Sequence, residues 1–282
     1  SGTDMAPATV QRYETSLKHT RDFVWETYHK KDVLLDEISR QFIEDYEFWL
    51  KTEKKCCHNT ATKYLKNFKK IIRIALAKGW MKNDPFLEIR FSLDKVEPDF
   101  LEDSEIQKLI SKEIDIPRLS QVRDIFVFCC FTGLAFSDIH GLRKEHIVED
   151  SNGVRWIRKG RQKTKIMCNI PLMEIPLKIL EKYSTNEYCK KHGVLFPVLC
   201  NQKMNAYLKE LADICGIKKT LTTHVARHTF ATFALANGVS IESVAKMLGH
   251  TNVQMTRHYA RVLDRTVIRE MSQIKMDFHI SI

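Results

Sequence analysis

The run TTHVARHTFATFALANGVSIESVAKMLGHTNVQMTRHY, residues 222–259, punctuates itself into three helices. Thr222 or Thr223 can cap the first, because a threonine hydroxyl accepts from the open N–H groups of a first turn. His224 and Arg227 follow three residues apart and so share a helix face. Val225, Phe230, Phe233 and Ala234 supply the buried side. Asn237-Gly238 ends this helix, glycine taking the left-handed conformation that a C-terminus favours. Ser240 caps a second helix with apolar Ile241, Val244, Ala245 and Leu248, and Gly249 closes it. His250 sits just past that end. Thr251 or Asn252 then opens a third, short helix that carries Tyr259.

Singly, these residues are ordinary: a histidine near a helix end is most often a cap or a surface group, and a tyrosine on an amphipathic helix is usually half-buried core. The ordered set H-x-x-R-H, L-G-H and R-H-Y is harder to dismiss. It resembles the C-terminal catalytic half of the tyrosine recombinases, or phage-type integrases. His224, Arg227, His250 and Tyr259 match the family's histidine, second arginine, second histidine and nucleophile. The resemblance implies a mainly α fold with a small antiparallel β-sheet. It also implies a helical core-binding domain of SAM-like type, joined to a catalytic domain to form a clamp around DNA.

Upstream, Thr132-Gly133-Leu134-Ala135-Phe136-Ser137-Asp138 matches the family's first box, where an arginine normally follows T-G-L and an acid comes three residues later. Asp138 fits the acid. Ala135 stands where the arginine belongs. In the family two arginines hold the non-bridging oxygens of the scissile phosphate, and losing one preorganised donor of that kind costs roughly 10²–10³ in rate. Three explanations remain open: an inactive protein, another cation in that place, or a substrate complex that tolerates the loss. Integrases from mobile elements of Bacteroides-like bacteria resemble this chain in reading T-G-L-A-[FY]-S-D, which favours replacement. Arg161 is the first choice and Arg143, expected on the helix after Asp138, the second.

Ile147-Val148, Val154 to Ile157 and Lys165 to Ile170 are short β-type runs, with Asn152-Gly153 and Gly160 to Lys163 as the turns between them. The tip R-Q-K-T resembles the family's lysine-bearing hairpin, and Lys163 aligns best. The implied chemistry is attack by Tyr259 on the scissile phosphate to give a 3′-phosphotyrosine, which conserves phosphodiester energy for rejoining. Arg227 clamps phosphate oxygens bidentately, Lys163 protonates the departing 5′-oxygen, and Asp138 orients its neighbours. His224 and His250 donate hydrogen bonds or handle the tyrosine proton, and the residues leave that division open. His228 and His258 are expected to face elsewhere, in structural roles.

The N-terminal third reads as helices over Pro7 to Lys30 and Leu35 to Leu50, followed by a change of charge. Between Lys51 and Lys82 basic residues face a single acid, Glu53. Tyr64, Leu65, Phe68, Ile71, Ile72 and Ala75 form the expected core stripe, while Lys63, Lys66, Lys70 and Arg73 share the opposite face. A solvated face normally mixes signs; a one-sign strip suits phosphates. The expected domains are 1–97, with a linker at about 91–98, and 98–282. A further helix is expected from Val262 to Phe278, packing on its own domain or docking on a neighbouring protomer.

The 282 residues carry a formal charge of +10, in keeping with a polyanionic partner. No carboxylate cluster of metal type and no G-x-x-x-x-G-K-[ST] loop appears, so no cofactor, Mg²⁺ or ATP, is implied. The eight cysteines form no C-x-x-C pair and fit a reducing cytoplasm. No apolar run is long enough to span a membrane, and no signal pattern is present. Ser1-Gly2 reads as a cloning remnant, so the natural chain is expected to extend further N-terminally. The partners implied by the resemblance are double-stranded DNA, a homo-tetramer on that DNA, and accessory DNA-bending proteins. A type IB topoisomerase and, because of Ala135, a catalytically silent DNA-binding protein are the alternatives.

Overall fold

The computed structural model describes residues 5–260. The chain divides into two compact units, Ser1–Val96 and Glu97–Ile282.

The first unit is built on three helices. α1 (Pro7–Tyr28) starts at a proline, whose missing N–H costs nothing there, and ends on left-handed His29. After a 3₁₀ turn at Leu35–Glu37, α2 (Arg40–Thr52) begins at Ser39, whose hydroxyl accepts from the Phe42 N–H. That cap splits the single helix expected from Leu35 to Leu50. α3 (His58–Ala77) carries the basic run. Phe23, Tyr46, Leu50, Leu65 and Phe86 are fully buried between the helices, the Phe23 ring 4.9 Å from Tyr46 and 5.1 Å from Phe42. One part of the expected α3 stripe is corrected: Ile71 is exposed, as are Val10 and Leu17 on α1, because nothing among the described residues covers that end of the helix pair. The start of the expected linker is anchored. His58 Nε2 lies 3.1 Å from the Ser92 carbonyl oxygen, and Asn59 both donates to the Asp94 carbonyl and accepts from its N–H.

The second unit is organised around α5 (Pro117–Thr132), which follows α4 (Asp103–Ser111). Ten of its sixteen residues are buried, so it reads as apolar on all sides. It packs against α4, α7 (Glu174–Tyr183), α9 (Asn201–Ile214) and α10 (Thr223–Ala236). Between α5 and α7 lie short α6 (Phe136–His140) and an antiparallel sheet, β1 (Ile147–Glu149), β2 (Arg155–Gly160) and β3 (Met167–Pro171), in the order β1-β2-β3. Asp150 shapes the first turn by accepting from the Asn152 and Val154 N–H groups and from Trp156 Nε1. Met167 opposite Gly160 fixes the second hairpin. α8 (Glu187–His192), which the sequence reading does not anticipate, is held by Asn186 as its cap. α11 (Ile241–Leu248) and α12 (Gln254–Ala260) complete the described chain. Among the described residues no helix is long and apolar enough to cross a membrane. The helix expected from Val262 to Phe278 lies outside the described residues.

Candidate active site

α10 starts where Thr222 caps it, its hydroxyl accepting from the Val225 N–H, so His224, Arg227 and His228 all fall in its first turns. Arg227 is only 3% exposed. Its two terminal nitrogens donate to the carbonyl oxygens of Gly133 and Leu248, each at 2.6 Å. Those carbonyls stand at the C-terminal ends of α5 and α11, where unsatisfied C=O groups concentrate negative charge. One guanidinium therefore ties three helices together before any substrate arrives. Burial first, then Arg161, lowers its pKa to about 10, which leaves it cationic at neutral pH.

The carbonyl positions depend on two glycines. Gly133 has φ +67° and Gly249 φ +60°, left-handed conformations that favour glycine. A Cβ on Gly133 would collide with Phe230 and Leu248, and one on Gly249 would lie 2.7 Å from Arg161 Cδ and from Cys168 Sγ.

Arg161 begins the turn after β2 and is 11% exposed in its side chain. Its Nε lies 3.5 Å from Asp138 Oδ2, and the other oxygen of Asp138 accepts from the Gln162 N–H at 2.9 Å. Asp138 is 2% exposed, so this carboxylate holds both the hairpin and the arginine from below. Thr164 adds a bond from its hydroxyl to the Gly249 carbonyl. The charge of Arg161 contributes to lowered pKa values at His224, Arg227 and His250 and opposes the rise at Tyr259. Arg143 does not join this set: it is exposed, precedes the 3₁₀ turn Lys144–His146 rather than lying on a helix, and bonds through its N–H to His146 Nδ1. Ala135 caps α6 with no side-chain hydrogen bond.

Tyr259, on α12, is 7% exposed and packs with Phe230, Ala231, Val244 and Leu248. Burial raises its pKa, and Arg227 and then Arg161 oppose that rise. The phenol thus stays protonated at neutral pH and needs a proton acceptor or a departing-charge stabiliser to react. His250 lies parallel to it, with ring centroids 6.4 Å apart, and His250 Nδ1 is 2.8 Å from the hydroxyl of fully buried Thr256. Burial, ahead of Arg227 and Arg161, lowers the His250 pKa to about 4. His224 is exposed overall, yet surrounding protein lowers its pKa first, followed by Arg227, Arg161 and Lys163. Lys163 stands exposed at the hairpin tip, near enough for its charge to be felt at His224.

One expectation is corrected. His228 does not face elsewhere: it is 8% exposed, its ring 4.4 Å from that of His224 and 5.2 Å from that of Tyr259. The His258 ring is 6.2 Å from Tyr259, although His258 itself is exposed. Thr256 and the two glycine-dependent carbonyls also escaped the sequence reading; the L-G-H glycine was the one signal that pointed to them. On α3 in the first unit, Lys63, Lys66, Lys70 and Arg73 are all exposed. Lys66 Nζ lies 5.9 Å from the Phe91 ring and Lys70 Nζ 5.4 Å from the Tyr13 ring, contacts that hold two of the cations in place. Among the described residues no group of three or more His, Cys, Asp or Glu side chains is placed to hold a metal ion.

Residues 99–266 match the model of the phage integrase family, and residues 1–96 match the phage integrase SAM-like domain. A tyrosine recombinase of Pseudothermotoga lettingae is 29% identical over 91% of this chain and 88% of its own length. Tyrosine recombinase XerD of Oceanobacillus iheyensis is 26% identical over 90% and 87%. In fold, the chain is similar to a lambda integrase dimer bound to a COC′ core site, with a TM-score of 0.73 at 18% identity over 92% and 90% of the two chains. The Tn1549 transposon integrase in complex with a circular intermediate DNA gives 0.70 at 18% identity over 96% and 95%. The chain belongs to the phage integrase family and is a tyrosine recombinase, an enzyme of site-specific DNA recombination.

Proposed function

We propose that this chain is the integrase of a mobile element, of the kind found in Bacteroides-like bacteria, and that Arg161 does the work of the missing first arginine. The observation that carries the reading is that two arginines converge on the end of α11 just before His250: the Arg161 side chain packs against Gly249 and Arg227 donates to the Leu248 carbonyl. Two cations are thus held beside the L-G-H turn although Ala135 supplies none. In the proposed reaction the Tyr259 oxygen attacks the scissile phosphorus and the bond to the 5′-oxygen breaks. The phenolic proton passes to His224 or His250, and Lys163 protonates the departing 5′-oxygen. Arg227 and Arg161 bind the two non-bridging oxygens as their charge grows, while Asp138 keeps Arg161 in place. Rejoining is the same step reversed with another strand's 5′-hydroxyl, so no bond energy is lost to water.

The T-G-L-A-F-S-D run at 132–138 supports the assignment to elements of that kind. The exposed strip Lys63, Lys66, Lys70 and Arg73 supports a hold on the phosphates of double-stranded DNA by residues 1–97. Assembly as a tetramer on the recombination site, with accessory DNA-bending proteins, belongs to the same proposal, as does action on nucleoid DNA in the bacterial cytoplasm.

The test begins with DNA the protein itself enriches from a random-sequence pool, nicked near the centre so that cleavage traps the intermediate. A denaturant-resistant adduct that disappears in Tyr259→Phe is the expected result. Binding without any adduct from the unaltered protein would overturn the reading in favour of a silent DNA-binding protein.

A further inference from the structure

His228 is a buried polar group beside the site that the proposed reaction leaves unused. It sits one turn after His224 and directly after Arg227, on the stretch of α10 that faces the site. More than nine-tenths of it is buried, yet its Nδ1 has no hydrogen-bond partner. A buried imidazole nitrogen left unpaired forfeits its hydration without compensation, so an unpaired nitrogen at this place calls for a reason. The ring also has two distinctive neighbours. It meets His224 edge to face, 4.4 Å between centroids at 83°, and lies tilted at 53° against Tyr259 at 5.2 Å. Among the described residues it bridges the His224 imidazole on α10 and the nucleophile on α12. His250 reaches Tyr259 from the other element, through a parallel ring.

Charge matters at this contact. The titratable groups around the ring are His224 and Arg227 on its own helix and His258 and Tyr259 on α12. Burial first, with the neighbouring charges following and Arg227 the permanent cation among them, keeps the imidazole neutral at physiological pH. A neutral ring can lie against the phenol and against His224 without repelling Arg227, and it retains one nitrogen that donates and one that accepts.

We propose that His228 is a positioning residue for strand cleavage, a buried wedge that sets the attack direction of Tyr259 relative to His224 and uses its open Nδ1 to hold the phenol once DNA is bound. It acts through Tyr259, not on the phosphate. The inference rests on the proposed role of Tyr259 as nucleophile, and its test separates the two.

The measurement is single-turnover adduct formation on the nicked duplex enriched from the random pool, alongside DNA affinity and melting temperature. His228→Phe keeps a ring of similar size and removes both nitrogens. His228→Asn keeps a polar atom near the Nδ1 position. Misplacing a reacting group by about 1 Å costs up to roughly 100-fold in rate. The expected result for His228→Phe is therefore adduct formation slowed by about 10- to 100-fold with DNA affinity unchanged, and partial recovery in His228→Asn. A substrate with sulfur as the bridging 5′-atom has a leaving group that departs without a proton, so it restores variants defective in leaving-group protonation. It should not restore His228→Phe. Wild-type rates in both variants overturn the proposal, and so does recovery on the sulfur substrate, which would place His228 on the leaving-group side. An equal fall in affinity and melting temperature in both variants would make the residue merely structural. Failure of the unaltered protein to form any adduct would instead remove the nucleophile assignment itself, leaving Tyr259→Phe indistinguishable from it.

Discussion

Arg161 is held by Asp138 from a different part of the second unit: the guanidinium Nε lies 3.5 Å from a carboxylate oxygen that is itself buried, and the same carboxylate anchors the next backbone N–H of the hairpin. The contact is an ion pair and not a hydrogen bond, so it places the carboxylate's charge beside a buried guanidinium. Replacing Asp138 by Asn keeps the shape and the bond to Gln162 but removes the charge. We expect adduct formation to fall by about 10- to 100-fold, with DNA affinity little changed in a gel-shift titration. An unaltered cleavage rate would show that Arg161 needs no such support.

Arg161→Ala should lower the cleavage rate by about 10²–10³, as expected for one preorganised phosphate ligand. Arg161→Lys should recover only part of this, because a lysine cannot present the planar two-nitrogen fork. A sharper check is the double variant Ala135→Arg with Arg161→Ala. If the hairpin arginine substitutes for one missing at 135, restoring that arginine raises the rate above that of Arg161→Ala alone. Near-normal cleavage by Arg161→Ala would remove this residue from the site.

Gly249→Ala tests how closely the second unit is packed behind the chemistry. The added methyl meets the Arg161 side chain and Cys168 Sγ, and the residue must also keep φ +60°. Strain at a left-handed position costs about 1 kcal/mol or more, so the urea midpoint should drop by a corresponding amount. The cleavage rate should fall further than stability alone explains, because Arg161 is displaced. A stable variant with full activity would contradict this packing.

Stability should depend on acid through His228. Its pKa is lowered from 6.5 to about 4 in the folded protein, with burial the larger cause and His224, His258 and Arg227 following. Between those two values the unfolded chain binds more protons than the folded one, so stability rises with pH across the window and is lost as pH falls from 6.5 towards 4. At pH 5 the loss from this residue is on the order of 2 kcal/mol. Urea unfolding at pH 7 and pH 5 measures it, and His228→Asn should show a shallower difference than the unaltered protein. His250, lowered to about 4 as well, acts in the same direction.

The basic strip on α3 predicts a salt effect. Removing one phosphate-binding cation lowers the slope of log K against log salt by about 0.9 for duplex DNA, because one fewer phosphate is neutralised. Lys63→Ala and Arg73→Ala should each weaken binding across all sequences alike and reduce the slope by about 1. A variant that changed sequence preference but not the slope would move these residues from phosphate contact to base reading.

Much of the architecture is local information. Pro7, Thr222, Ser240, Gly238 and Gly249 start or stop helices through hydrogen bonds and φ values that reach only a few residues, and so each is legible in the chain, whereas the Ser39 cap inside an apolar pattern is not. The nearly unbroken apolar run of residues 122–131 marks a buried element in the same local way. Local pattern does not show where a face stays open, as at Ile71. Periodicity reports that a stripe is apolar and is silent on whether anything covers it.

The sequence by itself determined most of the helices, the hairpin and the order of His224, Arg227, His250 and Tyr259, because caps, turns and spacing act over one or two turns of backbone. Only the tertiary structure decided which groups meet: Arg227 with the Gly133 and Leu248 carbonyls, Arg161 with Asp138, and His228 with Tyr259. Those partners are 21 to 94 positions apart for the bonds of Arg227 alone. The packing of α10 and α11 against α5 and β3 brings them together, and no short-range pattern encodes that juxtaposition.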